Sequence, residues 1–247
     1  MWRIFPLVFL LTAPAGAAPY LSGEATLVSD YRFRGVSRSD AGPAVQGRLV
    51  LEAGDFYAEG FASSLGGWGR FGGADAELDV TIGVQKPLGL GTIDGGVTIY
   101  NFVGSDRPAT VVEAQGRISG GLGPLRLVAG VAWAPPQRGL ATADEERADN
   151  LYLWGSARAA LIGTPFSVHG RIGHSRGAPG LGGAGALTEA ARAWDWRLGV
   201  DYALGPLTLG ADVVGTDLGD RAEALLATPR GGRIAGTGVL VRLGAGF

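Results

Sequence analysis

The sequence predicts an all-β fold, a transmembrane antiparallel up-and-down β-barrel of about twelve strands. Three observations predict it. Apolar and polar residues alternate with a period of two through segment after segment. The links between these segments are short and long by turns, as tight turns on one side of a membrane and longer loops on the other would be. Beyond the N-terminal leader, no stretch approaches the ~18 uninterrupted apolar residues of a membrane helix. A barrel escapes that criterion because its wall shares residues between lipid and lumen.

The first seventeen residues read as a separate unit. Met1-Trp2-Arg3 supplies a short positive start, Ile4 to Leu11 is almost wholly apolar, and Ala15-Gly16-Ala17 offers the small residues signal peptidase needs. Cleavage after Ala17 is preferred to cleavage after Ala18, which would put Pro19 first. The apolar stretch is too short to span ~30 Å of hydrocarbon as a helix. Residues 1–17 are therefore expected to be a signal peptide, and 18–247 a single barrel domain.

Alternation then runs along the chain. Leu21, Gly23, Ala25, Leu27, Ser29, Tyr31 and Phe33 share one face, against Ser22, Glu24, Thr26, Asp30, Arg32 and Arg34. Val45, Gly47, Leu49 and Leu51 oppose Gln46, Arg48 and Glu52. Ala76, Leu78, Val80, Ile82 and Val84 oppose Asp75, Glu77, Asp79, Thr81 and Gln85. Similar faces follow at Val112 to Ser119, at Trp194 to Tyr202 and at Val239 to Phe247. The candidate strands lie near 21–34, 44–53, 56–65, 74–86, 92–103, 110–120, 125–134, 150–162, 166–175, 194–204, 207–217 and 234–247. Most reach the ~10 residues a tilted strand needs to cross a bilayer, longer than the ~5–6 of soluble sheets.

Short links follow every second strand: Gly54-Asp55, Pro87 to Gly91, Gly121 to Pro124, Gly163 to Pro165 and Gly205-Pro206. Long ones fall between: Gly35 to Pro43, Gly66 to Gly73, Gly104 to Ala109, Pro135 to Asp149, Arg176 to Ala193 and Leu218 to Arg233. The even count puts both termini on the short-turn side, the periplasm. Aromatics cluster near strand ends. Tyr31, Phe33, Phe61, Tyr100, Phe102, Trp133, Tyr152, Trp154, Trp194 and Trp196 fall on the long-loop side. Tyr20, Phe56, Phe166, Tyr202 and Phe247 fall on the other. Two interfacial belts are expected from them, although Tyr152 and Trp154 have lumen parity.

Leu27-Val28-Ser29-Asp30-Tyr31-Arg32-Phe33-Arg34-Gly35-Val36-Ser37, followed by Pro43-Ala44-Val45-Gln46-Gly47, resembles the TorF family of porin-like proteins. Phe56-Tyr57-Ala58, Ala62-Ser63, Glu77-Leu78-Asp79, Asp94-Gly95-Gly96-Val97 through Tyr100, Trp194-Asp195-Trp196-Arg197-Leu198-Gly199-Val200 and Phe247 are similar to that family's later strands. The resemblance implies an outer-membrane porin-like barrel. It does not extend to the 135–149 and 176–193 loops.

Composition removes several alternatives. Glycine is abundant at 44 residues but shows no G-X-Y period, and a chain 18% charged and 46% hydrophobic is too apolar for disorder. The formal net charge of −2 becomes −3 when Arg3 leaves with the leader, which predicts no nucleic-acid partner. Lys86 is the single lysine. The absence of cysteine excludes disulfides, thiol catalysis and cysteine zinc sites.

The lumen-parity charges carry the functional expectation. They are acidic at Glu24, Asp30, Glu52, Glu59, Asp75, Glu77, Asp79, Asp94, Glu113, Asp195 and Asp201. They are basic at Arg32, Arg34, Arg48, Arg117, Arg126, Arg158, Arg171, Arg197 and Arg242. All but Glu24, Asp30, Glu59, Asp75 and Arg126 are taken as candidate pore-lining residues. Facing acidic and basic ladders would set a transverse field that selects solutes. The alternative is that they pair with one another and brace or fill the wall. Phe247, an aromatic final residue on an alternating strand, is the candidate assembly signal for the barrel-insertion machinery.

Other patterns carry less. Gly180-x-Gly182-x-x-Gly185 matches a dinucleotide fingerprint as a string but has no βαβ unit around it, and Gly231 to Thr237 lacks a phosphate-loop lysine. Ser167 and His169 share a strand face, yet no third orienting group is evident. Asp144-Glu145-Glu146 with Asp149 reads as a solvated loop. No catalysis and no cofactor are expected. The expected partners are outer-membrane lipids, the assembly machinery and small hydrophilic solutes. Two readings remain: a passive pore, and a closed barrel with a structural, receptor or lipid-modifying role.

Overall fold

A computed structural model describes residues 18–66, 73–105, 110–141, 146–177, 192–218 and 234–247. The signal-peptide expectation and the two glycine-rich strings lie wholly or partly outside these residues, as do 142–145 of the 135–149 loop and 178–191 of the 176–193 loop. Twelve strands close into one antiparallel barrel. They are β1 (Tyr20–Val28), β4 (Ala44–Ala53), β5 (Phe56–Ser64), β6 (Ala76–Leu88), β7 (Gly91–Val103), β8 (Val111–Leu122), β9 (Leu125–Gln137), β10 (Ala148–Ala160), β11 (Phe166–Gly177), β12 (Arg192–Leu204), β13 (Leu207–Thr216) and β14 (Gly238–Gly246). Each pairs with its sequence neighbour, and β1 pairs with β14 to shut the ring. The remaining two, β2 (Arg32–Phe33) and β3 (Val36–Ser37), form a separate small hairpin.

Alternation of side chains produces this wall. Along β6, Val80 and Ile82 are 48% and 54% exposed on the outside, while Asp79 and Thr81 between them are 9% and 7% exposed inside. The outer surface carries leucine, isoleucine or valine from every barrel strand but β5, which presents Phe56 instead, and these include Leu21, Leu49, Ile99, Leu127, Ile172, Leu198 and Leu243. Water does not tolerate so continuous an apolar belt, and closure leaves no unpaired sheet edge within it. The short turns all lie at one end. At Gly205-Pro206, Gly205 adopts φ +60° and the ring of Pro206 suits the second position, the type II′ geometry that matches strand twist.

The seam between first and last strands is closed by the chain end. The Phe247 N–H donates to the Gly23 carbonyl at 3.0 Å, and the Gly23 N–H donates back to the Phe247 carbonyl at 3.1 Å. The Phe247 ring lies over Gly23, where a Cβ would meet it at 2.4 Å.

The structure corrects three expectations. The first strand ends at Val28 rather than continuing to Arg34, because residues 29–43 turn into the barrel. The last strand likewise begins at Gly238, since Ile234 and Ala235 leave the wall to pack against Val36. The aromatic belt on the long-loop side is not formed as expected. Trp133 and Trp194 are exposed there, but Tyr31, Tyr100, Phe102 and Tyr152 are buried, and Phe33 and Phe61 pack beside them. Those rings make the core of the molecule, which sits inside one end of the barrel. On the short-turn side Tyr20, Phe56, Phe166 and Phe247 do face out.

Candidate functional site

Residues 29–43 form a plug. Phe33-Arg34-Gly35-Val36 is a tight turn with positive φ at both central residues, +48° at Arg34 and +82° at Gly35. Such a conformation at arginine is strained and needs support from its surroundings. Asp30 begins that support: it accepts from Arg32 Nε at 2.5 Å and from the Ser37 hydroxyl at 2.5 Å. Arg32 also donates to the carbonyl of Ile234 at 2.8 Å. The Ser37 N–H reaches the same carbonyl at 2.7 Å, which ties the plug to the loop before β14.

Two arginines fix the plug to the wall. Arg34, at the hairpin tip, donates to Glu113 of β8 at 2.6 Å and to Asn150 of β10 at 2.9 Å, and lies 4.0 Å over the Tyr152 ring. These strands flank β9, which stands half the ring away from β1, so the hairpin crosses the whole lumen. Arg38 pairs with Glu77 of β6, both side chains fully buried, and its guanidinium lies 3.8 Å over the Phe33 ring. Burial works against the Arg38 charge, but the Glu77 carboxylate prevails and holds its pKa above the ordinary arginine value.

Beneath the plug lies a cavity of about 520 Å³. Exposure of the inward arginines rises away from the plug: the Arg38 and Arg34 side chains are 0% and 9% exposed, whereas those of Arg48, Arg117 and Arg158 are 51%, 42% and 52% exposed. The carboxylates Asp94 and Asp201 that hold the last two stay buried in the wall. The described residues thus fill the long-loop half and leave the short-turn half wet.

The sequence-derived residues divide accordingly. Arg32 and Arg34 come to the cavity from the plug, not from a strand, and Arg48, Asp79, Glu113, Arg117, Arg171, Asp195, Arg197 and Arg242 line it from the wall. Glu52, Glu77, Asp94, Arg158 and Asp201 do not. Glu52 accepts from Gln85 at 2.8 Å. Asp94 takes Arg117 at 3.1 Å and the Tyr57 hydroxyl at 3.2 Å, and Asp201 binds Arg158. Many of these charges are therefore paired within the wall, as one of the two expectations had it. Tyr152 and Trp154 point inward because they serve these charges: the Tyr152 hydroxyl donates to Asp195 at 2.9 Å, and Arg171 stacks 4.6 Å over the Trp154 ring.

Three participants had been missed. Asp212 accepts from Arg242 at 2.7 Å and binds His169 Nε2 at 2.7 Å. The alternation Leu209, Ala211, Val213 against Asp212 and Val214 carried the signal for it. Tyr57 lies over Gly83, occupying the room a side chain there would take. Arg38 sits in a loop without periodicity and had no sequence signal. Ser167 and His169 do not form a dyad, since the Ser167 hydroxyl accepts from Arg158 at 3.0 Å and the histidine engages carboxylates.

A family profile described as bacterial protein of unknown function, Gcw_chp, matches residues 13–247. The chain belongs to the Gcw_chp family. No curated protein matches its sequence. In fold, this Gcw_chp barrel is similar to the KdgM porin, with a TM-score of 0.55 at 7% identity over 92% of this chain and 98% of that one. It also matches the COG4313 outer membrane channel from Pseudomonas putida F1, with a TM-score of 0.46 at 12% identity over 99% and 100% of the two chains. Identity this low speaks to fold alone. For the Gcw_chp chain the KdgM likeness establishes a porin-like closed barrel fold.

Proposed function

We propose that the protein is an outer-membrane channel of restricted bore for passive diffusion of small hydrophilic solutes or ions, with its first external loop folded in as a plug. The observation that carries this reading is a water-accessible charged cavity inside a closed wall whose outer face is apolar. A spanning sheet must satisfy every backbone group internally, and only closure does so. The resemblance of residues 27–37 and 43–47 to the TorF family supports the same reading, because those residues include the plug's hairpin. The reading of residues 1–17 as a leader and of Phe247 as an assembly signal accords with export and delivery to the assembly machinery, with outer-membrane lipids as the surrounding medium.

The charges give the lumen a direction. In a ring of twelve, β11 and β12 stand opposite β5 and β6. The first pair brings Arg171 and Arg197 to the cavity with a single carboxylate, Asp195, and the second brings the acidic Glu59 and Asp79. A solute between them experiences a transverse field. The second reading, a closed structural or receptor barrel, is favoured by the complete burial of Arg38 and Glu77 in the plug.

Planar-bilayer recording of the folded protein separates the two. Reproducible conductance steps support the channel. Silence of both the wild type and a chain lacking residues 31–41, under reconstitution that admits a control porin, supports the closed barrel.

A further inference from the structure

Arg171 of β11 and Arg197 of β12 are register partners across their strands. Like charges placed directly opposite destabilise a sheet, and burying part of each guanidinium adds a desolvation cost. Elsewhere in the lumen that cost is offset by a carboxylate: Arg34 has Glu113, Arg48 has Glu59, Arg117 has Asp94, and Arg242 has Asp201 and Asp212. Arg171 and Arg197 form no ion pair among the described residues. Arg171 donates to the Tyr152 hydroxyl at 3.3 Å, and Arg197 makes a long contact of 3.5 Å to the Arg32 carbonyl. Two carboxylates line the same part of the cavity and act on these arginines through their charge without pairing to them, since Asp195 accepts from the Tyr152 hydroxyl and Asp212 binds His169 and Arg242. Two adjacent planar forks thus line the cavity with donors to spare.

We infer that Arg171 and Arg197 form a subsite for an oxyanion, the carboxylate or phosphate group of a small solute. The guanidinium fork matches either group in bidentate fashion, and a bound oxyanion would neutralise the repulsion the wall now carries. Stacking on Trp154 holds Arg171 flat against the wall and fixes the direction of its donors, so little rotamer freedom is lost when the anion arrives. The subsite rests on the channel reading for its role in transport, but its existence does not depend on conductance.

The test is equilibrium dialysis of inorganic phosphate and of malonate against the folded protein in detergent at low ionic strength, with glucose as the uncharged probe. Saturable one-to-one binding of the anions, absent for glucose, is expected. Arg171→Gln and Arg197→Gln should each weaken it about tenfold. Lys86→Gln, which removes the same charge from an exposed position near the short turns, should leave it unchanged. In bilayers under a KCl gradient, the two arginine variants should move the reversal potential toward cation preference. Anion binding that survives in the double variant, or no saturable binding in the wild type, overturns the subsite even if the pore conducts. A silent bilayer with intact, arginine-dependent binding sustains the subsite and counts against the channel instead.

Discussion

Arg38, in the first long loop, and Glu77, on β6, form an ion pair in which neither side chain touches solvent. A pair of this kind contributes little net stability over well-packed apolar residues, but losing one member is costly, about 3–5 kcal/mol, because the other is left buried and uncompensated. Its significance is therefore positional: it locks the plug to one part of the wall while Arg34 locks it to another.

Glu77→Ala is expected to release the plug and leave the barrel intact. Single-channel conductance should rise and current noise increase, while heat-modifiable mobility on gels stays that of a folded barrel. The double variant Arg38→Met with Glu77→Leu removes both charges together and should keep the low conductance of the wild type. Equal conductance in all three proteins would show that the pair does not hold the plug.

Gly35→Ala tests the hairpin tip. Its φ of +82° disfavours a side chain, and a Cβ would meet Thr216 Cγ2 at 2.4 Å and the Gly215 carbonyl at 2.8 Å. Strain of about 1–3 kcal/mol is expected. Limited proteolysis of reconstituted protein should then cleave within residues 29–43, whereas the wild type, with this segment largely buried, should resist.

Opposite faces of the wall should respond oppositely to charge. Val80→Arg places a cation on the outward apolar face and should cost about 2–4 kcal/mol in vesicle refolding titrations. Gln46→Arg adds the same cation beside the cavity and should cost no more than about 0.5 kcal/mol. Equal costs would contradict a lipid-facing exterior.

At the seam, removal of Phe247 deletes both backbone hydrogen bonds to Gly23 and the ring above it. The yield of folded protein in outer-membrane fractions should fall severalfold, whereas Phe247→Tyr should retain it. Gly23→Leu, which displaces the ring without shortening the chain, should produce an intermediate loss. Undiminished yield on deletion would remove the assembly role assigned to this residue.

The barrel wall was legible in the sequence because its determinant is local. Side chains alternate between two faces along each strand, so Val80 and Ile82 could be assigned outward, and Glu77 and Asp79 inward, from their order alone. The short turns were legible for the same reason, since glycine and proline act within a few residues. Tertiary structure alone decided the fate of the first loop. Tyr31 and Phe33 carry the parity of lipid-facing residues and lie inside, because the partners that draw their segment inward are remote in the chain. Arg38 meets Glu77 across 39 positions, Arg34 meets Glu113 across 79, and Arg32 meets Ile234 across 202. Periodicity reports which way a side chain points from a strand that exists. It holds no information about where the strand gives way to a buried charge seeking a counter-charge on the far wall.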